Sequence, residues 1–398
     1  MKKAYVVGTC DTKHEDLSYA CECLKAAGVE AALVDVGIFP HNNPVDVRNT
    51  DIAAAHPAKP NFLSKVNDRG DAVILMSEAF EAWLKEQKDV GGVIGFGGSG
   101  GSSITTRGMR ALDVGIPKIM VSTMASGDVS PYVGPTDICM MHSVTDVAGI
   151  NRISRIVFAN AAHALAGMML FTPPKAKTQK PPLGLTMFGV TTPCVEALRD
   201  ELRERFEPLI FHATGTGGQA FEKLVDSGMI RHCIDVTTTE ICDLFMGGVL
   251  SAGPDRLGAI ARSGIPYVGS VGAMDMVNFG PKDTVPDKYK NRLFHVHNAT
   301  VTLMRTTPEE NRAMGLWIAD KLNQCKGPVR FLLPEKGVSL IDAEGMPFWN
   351  PEADEALFKA LEEAVVQNDK RRIIRVPHHI NSPEFVAELI RNFDEITK

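Results

Sequence analysis

Short apolar runs alternate with helical stretches from the first residues of this chain, and that rhythm restricts it to a mostly parallel sheet covered by helices on both faces. Ala4-Tyr-Val-Val-Gly8 reads as a buried strand. Thr12-Lys-His-Glu15 has capping-box spacing, which starts a helix there. Leu17, Ala20, Cys21 and Leu24 form its apolar face and Gly28 stops it. Ala31–Val36 is the next strand. Further strands are predicted at Ala72–Met76, Gly92–Gly95 and Lys118–Ser122, with helices near Ser77–Lys88 and Ser102–Leu112. Asp146–Leu170 reads as one long helix rich in Ala and Gly, suited to close packing within the domain or across a dimer.

Thr172-Pro-Pro-Lys-Ala-Lys-Thr-Gln-Lys-Pro-Pro182 is polar, proline-rich and without apolar period, and it reads as a linker. Beyond it the pattern restarts. Leu185–Leu198 repeats the strand-Gly-Thr-helix plan of Tyr5–Leu17, and Gly264-Ile-Pro echoes Gly115-Ile-Pro, each leading into a strand and a loop of small residues. At 398 residues the length suits two domains. The expectation is therefore α/β: two Rossmann-like domains, 1–175 and 183–398 around linker 172–182, with an interdomain cleft. The closing helix, Ser382–Phe393, is placed to cross back to the first domain.

Composition removes several classes. Asp and Glu number 48 against 42 Lys and Arg, so there is no basic footprint for nucleic acid. No apolar run reaches about 18 residues, which argues against a membrane span. Eight scattered cysteines without a C-x-x-C suggest a reducing, cytoplasmic setting. The 35 glycines are the unusual count, and they concentrate at one place.

That place is Val93-Ile-Gly-Phe-Gly-Gly-Ser-Gly-Gly-Ser-Ser-Ile104, where a strand runs through glycines and serines into a helix. Glycines let backbone N–H groups approach an anion, and the helix start adds a partial positive charge. Gly97, Gly98, Ser99, Gly100, Gly101 and Ser102 are the predicted phosphate cradle. A P-loop would carry lysine after the glycines, and a dinucleotide site an acid at the tip of the next strand. Here that tip is Val121-Ser-Thr-Met-Ala-Ser-Gly127, with hydroxyls and no acid before Asp128, so NAD is disfavoured and a mononucleotide or smaller phosphate fits better. Ser122, Thr123, Ser126 and Gly127 join the predicted site from this loop. Asp11, Thr12 and Lys13 join it from the first loop: Asp11 as the magnesium ligand, Lys13 on a phosphate. The bland alternative for Asp11 and Thr12 is simple helix capping. Cys10 has no histidine placed beside it and is not read as a nucleophile.

Gly8-Thr-Cys-Asp-Thr-Lys13, Gly97-Gly-Ser-Gly-Gly-Ser102, Ser122-Thr-Met-Ala-Ser-Gly127, Tyr132-Val-Gly134 and Val144-Thr-Asp-Val-Ala-Gly-Ile-Asn151 resemble the ATP-binding region of the tomato mosaic virus resistance protein and the bacterial and archaeal family built on it. The resemblance extends to Val296–Thr307 and His379–Phe385. It implies a two-subdomain α/β protein, a homodimer, and an ATP-type nucleotide with Mg²⁺ in the first domain. The plant protein's additional barrel domain is absent here, so its antiviral role does not transfer.

The second half supplies candidate chemistry. Glu240, in Val236-Thr-Thr-Thr-Glu240, is either a carboxylate favoured by a helix N-terminus or an acid/base group. Asp275 and Asn278 lie in the loop after a strand, where such sheets place functional residues. His295 with His297, and His378 with His379, form two clusters; H-x-H in extended chain puts both rings on one face, at metal-ligand spacing. Arg305 and Asn298 suit an anionic substrate, and Ala213-Thr-Gly-Thr-Gly-Gly218 reads as a second anion cradle. The leading expectation is an ATP-type nucleotide-binding protein acting on, or responding to, a small anionic metabolite in the cleft. Glu240, Asp275, His297 and His379 would be the catalytic groups if it is an enzyme. A non-catalytic nucleotide-responsive module and a metal-assisted hydrolase or lyase using the histidines are the alternatives.

Overall fold

The computed structural model describes residues 2–171 and 180–398. The chain divides into two compact units, Met1–Ala176 and Lys177–Lys398. Most of the predicted linker, 172–179, lies outside the described residues.

Unit one runs β1 Lys3–Gly8, α1 Cys10–Ala26, β2 Ala31–Asp35, α2 Asn49–Ala54, α3 Arg69–Glu86, β3 Val90–Gly97, α4 Ser99–Ala111, β4 Lys118–Ser122, α5 Ser130–Val133, β5 Cys139–His142 and α6 Arg152–Leu170. Its five strands are all parallel, in the order β2-β1-β3-β4-β5. Alternate side chains of each strand enter opposite cores. Ala4 and Val6 pack with α1 and α6, whereas Tyr5 and Val7 pack with α2, α3 and α4. Strands buried on both faces read as unbroken apolar runs, which is why they were visible in the sequence.

Three expectations need correction. Ala72–Met76 is helix, not strand: Asp68 caps α3 through the Asp71 N–H, and Ala72, Leu75, Met76, Ala79, Phe80 and Leu84 bury one helical stripe. Five consecutive apolar residues concealed a 3.6-residue period. The first helix begins at Cys10, with Thr9 as its extended N-cap, ahead of the Thr12–Glu15 pattern, and its backbone departs from helical geometry at Lys13. The long helix begins only at Arg152, because Gly149 turns the chain with φ +96° and Asn151 caps the new helix at the Ile153 and Ser154 N–H groups. By length and composition α6 can also cross a membrane. Here Phe158, Ala161, Ala162 and Leu165 pack into unit one, while Ile153, Ile156 and Met168 are exposed.

Unit two runs β6 Pro182–Met187, α7 Thr192–Leu202, β7 Glu207–His212, α8 Thr216–Asp226, β8 His232–Thr237, α9 Glu240–Met246, α10 Gly258–Ser263, β9 Tyr267–Gly272, β10 Met276–Phe279, β11 Phe294–Asn298, β12 Val301–Arg305, α11 Pro308–Gln324, β13 Val329–Pro334, α12 Pro351–Ala364, β14 Arg371–Val376 and α13 Pro383–Ile396. Its main sheet is parallel, in the order β7-β6-β8-β9-β13-β14. The first five strands of each parallel sheet thus share one order: second, first, third, fourth, fifth. The likeness seen in sequence is a likeness of topology. β10, β12 and β11 form a separate antiparallel sheet. The closing helix packs in unit two: Phe385, Leu389 and Phe393 of α13 meet Leu198 and Leu202 of α7 and Leu332 of β13.

Candidate functional site

In a sheet of this order the connections leave β1 and β3 toward opposite faces, opening a crevice beyond their carboxyl ends where ligands bind. Two loops meet there. The first, after β1, is held by Asp35 at the tip of β2. Its Oδ1 accepts the Cys10 N–H (2.9 Å) and the Gly37 N–H (2.8 Å), and its Oδ2 meets His41 Nε2 at 2.8 Å. A dinucleotide-binding sheet offers such an acid to a ribose, but here every bond of that carboxylate goes to its own loops. Asn43 Nδ2 also donates to the Cys10 carbonyl at 2.7 Å. Burial, with Asp35 and Asp11 adding to it, pushes the Cys10 thiol far above its ordinary range, which disfavours the reactive thiolate.

The second loop is the glycine-rich one. Gly98 caps α4 without any side-chain hydrogen bond. The Ser102 N–H makes the first helical bond, to the Gly98 carbonyl at 2.9 Å, leaving the N–H groups of Ser99, Gly100 and Gly101 without helical acceptors. The glycines divide into two kinds. A Cβ on Gly97 would stand 3.0 Å from the Gly101 Cα, so helix and strand pack too closely there for a side chain. A Cβ on Gly98, Gly100 or Gly101 would meet nothing nearer than 3.6, 3.8 and 3.7 Å. Packing tolerates side chains at those three positions. Among the described residues no group accepts a hydrogen bond from the Ser99, Gly100 or Gly101 N–H.

A cavity of about 230 Å³ occupies this crevice. Thr9, Asp11, Thr12 and Lys13 line one side, and Gly98, Ser99, Gly100 and Gly101 the other. Lys13 Nζ spends one donor on the Val147 carbonyl at 2.5 Å, and an ammonium has two more. Sequence reasoning missed Ile38, Phe39 and Arg69, which with Val73 and Ile104 complete the wall. Arg69 opens α3 and makes no ion pair among the described residues. Phe39 is exposed. Neither carries a local motif; an unpaired cation next to the Asp68 cap was the only available hint.

Other predicted members serve the scaffold. The Ser102 and Ser122 hydroxyls, both buried, bond each other at 2.6 Å and tie α4 to β4. Ser122 Oγ also accepts the Met124 N–H at 3.0 Å. The Ser126 hydroxyl bonds the Thr123 carbonyl, and the Gly127 N–H the Met124 carbonyl. Ser102, Ser122, Thr123, Ser126, Gly127 and Gly97 do not line the cavity.

In unit two, Ala213–Gly218 does cradle an anion, but the anion is Glu240. Its Oε1 accepts the Gly215 N–H (2.7 Å) and the Gly218 N–H (3.0 Å), and its Oε2 meets Arg256 Nε at 2.9 Å. A Cβ on Gly218 would lie 2.0 Å from that carboxylate. Arg256, itself buried, also binds Asp235 and Glu222. Glu240 is thus walled in at 1 % exposure.

Asp275 and His379 come together around Ser339, which sequence reasoning did not single out. Ser339 Oγ donates to Asp275 Oδ2 at 2.9 Å, and His379 Nε2 lies 2.9 Å from the Ser339 carbonyl. A carbonyl only accepts, so Nε2 carries the proton, while Nδ1 accepts the Asn381 N–H at 3.1 Å. Asp275 Oδ1 is buried without a donor. Burial, then Asp342 beside it, raises the Asp275 carboxyl. Arg305 is committed to Asp354 (2.8 Å), Asp342 (3.3 Å) and the Phe348 carbonyl. Asn278 Nδ2 donates to Asp243 at 2.8 Å, deep in the core.

The histidine pairs fare differently. His295 packs its ring near Phe348, whereas His297 is exposed on edge strand β11 beside an irregularity in its register with β12. Asn298 closes the β11–β12 turn by accepting from Thr300. Among the described residues no three His, Cys, Asp or Glu side chains are grouped to hold a metal ion.

A model of Uncharacterised protein family (UPF0261) N-terminal domain matches residues 2–174, and that of the C-terminal domain matches 180–397. A UPF0261 protein of Rhizobium meliloti (strain 1021) is 54 % identical over 396 residues, covering 100 % of this chain and 99 % of its own. A UPF0261 protein of Clostridium tetani (strain Massachusetts / E88) is 46 % identical, covering 98 % of each. The ToMV resistance protein Tm-1(GCR237) of Solanum lycopersicum is 40 % identical over 99 % of this chain, which spans 56 % of that protein. Among solved structures, a UDP-N-acetylglucosamine 2-epimerase from Rickettsia bellii matches at 13 % identity over 67 % of this chain and 78 % of its own, with a TM-score of 0.22, too weak to bear on the site.

Proposed function

The chain belongs to the UPF0261 family across both halves, and from that premise and the β1/β3 crevice we propose that unit one binds the phosphates of an ATP-type nucleotide at the N-terminus of α4. One observation carries the reading: Gly98, Gly100 and Gly101 have room for side chains yet leave three helix N–H groups open to the cavity. Lys13 and Arg69 add positive charge, and the Ser99 hydroxyl adds a donor. A cavity of about 230 Å³ is smaller than the roughly 300–1,000 Å³ of a whole-ligand pocket. It therefore encloses the phosphates and leaves the base outward, where exposed Phe39 offers a stacking face.

Asp11 is the single carboxylate among the described lining residues. That suits Mg²⁺, which commonly binds one or two carboxylates together with substrate phosphates and waters. Asp11 would hold the ion on the bound nucleotide, where it would neutralise phosphate charge. The lining supplies cations, hydroxyls and open N–H groups, with no imidazole among its described residues; binding, and not a named reaction, is therefore the function proposed. The family resemblance also supports a homodimer, for which exposed Ile153, Ile156 and Met168 of α6 offer an apolar flank; light scattering at a single protomer mass would remove that part.

Calorimetry with ATP, with and without Mg²⁺, tests the nucleotide. Saturable binding to the native chain that Gly98→Val abolishes is expected, and a native chain that does not bind refutes the reading.

A further inference from the structure

A second cavity, of about 670 Å³, adjoins the first, and Val73 lines both. It lies among α3, α4, the segment after β4, and α5. Its lining joins two chemistries. Ile74 and Met124 expose apolar surface, 55 % and 38 % of each residue, with Tyr132 alongside. Arg110 supplies charge. All three of its hydrogen bonds leave from Nη1 and go to neutral acceptors: Thr106 Oγ1 (3.4 Å), the Pro131 carbonyl (3.1 Å) and the Tyr132 carbonyl (2.7 Å). Among the described residues no carboxylate lies within ion-pair distance of it.

The more deeply buried arginines differ. Arg256 has three carboxylates and Arg305 two. Neighbouring Arg107 is also spent, on Glu78 and Glu81. Burial and Arg107 both make the Arg110 charge harder to hold, and Glu81 offsets them only in part. Asp128, the one carboxylate among the described lining residues, accepts from the Ser130 N–H and hydroxyl. A half-buried guanidinium with Nε and Nη2 uncommitted has the planar fork that a carboxylate fits.

We propose that this cavity binds a small organic carboxylate, its apolar body against Ile74, Met124 and Tyr132 and its carboxylate on Arg110, beside the first cavity. The carboxylate site stands on Arg110 and the apolar wall. Only its role as the partner of a bound nucleotide rests on the function proposed above.

The test titrates the intact chain with benzoate, phenylacetate and hexanoate by calorimetry, each with and without Mg-ATP, and with benzyl alcohol as the uncharged control. At least one carboxylate should bind saturably and the alcohol should not. Arg110→Gln should weaken that binding ten-fold or more. Because Arg110 also holds the α5 backbone, Ile74→Glu is the second variant: it sets a negative charge on an exposed position of the same wall, and should weaken binding equally while the melting temperature stays native. ATP titrations of both variants keep the two readings apart. Carboxylate binding without ATP binding overturns only the nucleotide. No binding by any of the three carboxylates, or binding that survives both substitutions, overturns this site.

Discussion

Gly100→Ala combined with Gly101→Ala should make the protein more stable and a poorer ligand binder. Both positions are in the first turn of α4, and an added Cβ would stand 3.8 Å from Val73 Cγ2 at Gly100 and 3.7 Å from the Phe96 carbonyl at Gly101, which are ordinary contacts. Alanine exceeds glycine by about 1 kcal/mol in a helix interior, and part of that applies in the first turn. The pair should therefore gain up to about 2 kcal/mol, raising the melting temperature of unit one by roughly 2–8 °C. Helical Cα–Cβ bonds tilt toward the N-terminus, so the new methyls point at the crevice and hold a phosphate away from the N–H groups. Each charge-assisted hydrogen bond lost costs about 1.5–3 kcal/mol, or roughly ten- to hundred-fold in affinity. Differential scanning calorimetry and Mg-ATP titration on one sample measure both. A lower melting temperature would show that packing requires these glycines. A higher one with unchanged affinity would show that they make room for no ligand.

Arg69→Ala should leave the melting temperature within about 1 °C, since the side chain is exposed and unpaired among the described residues, yet weaken Mg-ATP binding and flatten its dependence on salt; equal salt slopes in both proteins would exclude Arg69 from the phosphate site. Glu240→Ala should destabilise unit two by about 3–5 kcal/mol, because it leaves Arg256 Nε and two glycine N–H groups buried without acceptors, while Asp235 and Glu222 still hold the guanidinium; an unchanged melting temperature would show that the carboxylate is not structural. Burial raises Glu222 and Asp243 to about 7, and Asp275 shifts the same way. Raised carboxyl groups bind more protons folded than unfolded, so unit two should lose stability as pH rises from about 4 through 7 and level off above. Thermal scans across that range check the sign, and a rise in stability would contradict it. Asp275→Asn, which keeps an acceptor for Ser339 and places no charge beside Asp342, should shrink the pH dependence.

Much of this was legible locally. Strands buried on both faces announced themselves as apolar runs, whereas the Thr12–Glu15 capping pattern fell inside a helix that begins at Cys10. The glycine-rich strand-to-helix turn was legible because backbone freedom depends on residues adjacent in sequence. The local signal failed at Ala72–Met76, where five apolar residues in a row fit strand and helix alike. It also misjudged polar residues, whose roles depend on distant partners. Ser102 and Ser122 look like ligand donors until each is found bonded to the other.

Glu240 shows the division most plainly. The sequence by itself determined an α/β chain of two similar halves, each with a glycine run at a strand end, because strand and helix periods and backbone freedom are properties of neighbouring residues. Which run stays open was decided only in three dimensions. In unit two the sheet brings Glu240 and Arg256 to Gly215 and Gly218, and the cradle fills with the protein's own carboxylate. In unit one no carboxylate among the described residues bonds the first N–H groups of α4, while Lys13 and Arg69 arrive from other elements. Two alike glycine runs thus differ because electrostatic pairing is set by distance through space, and distance through space belongs to the fold.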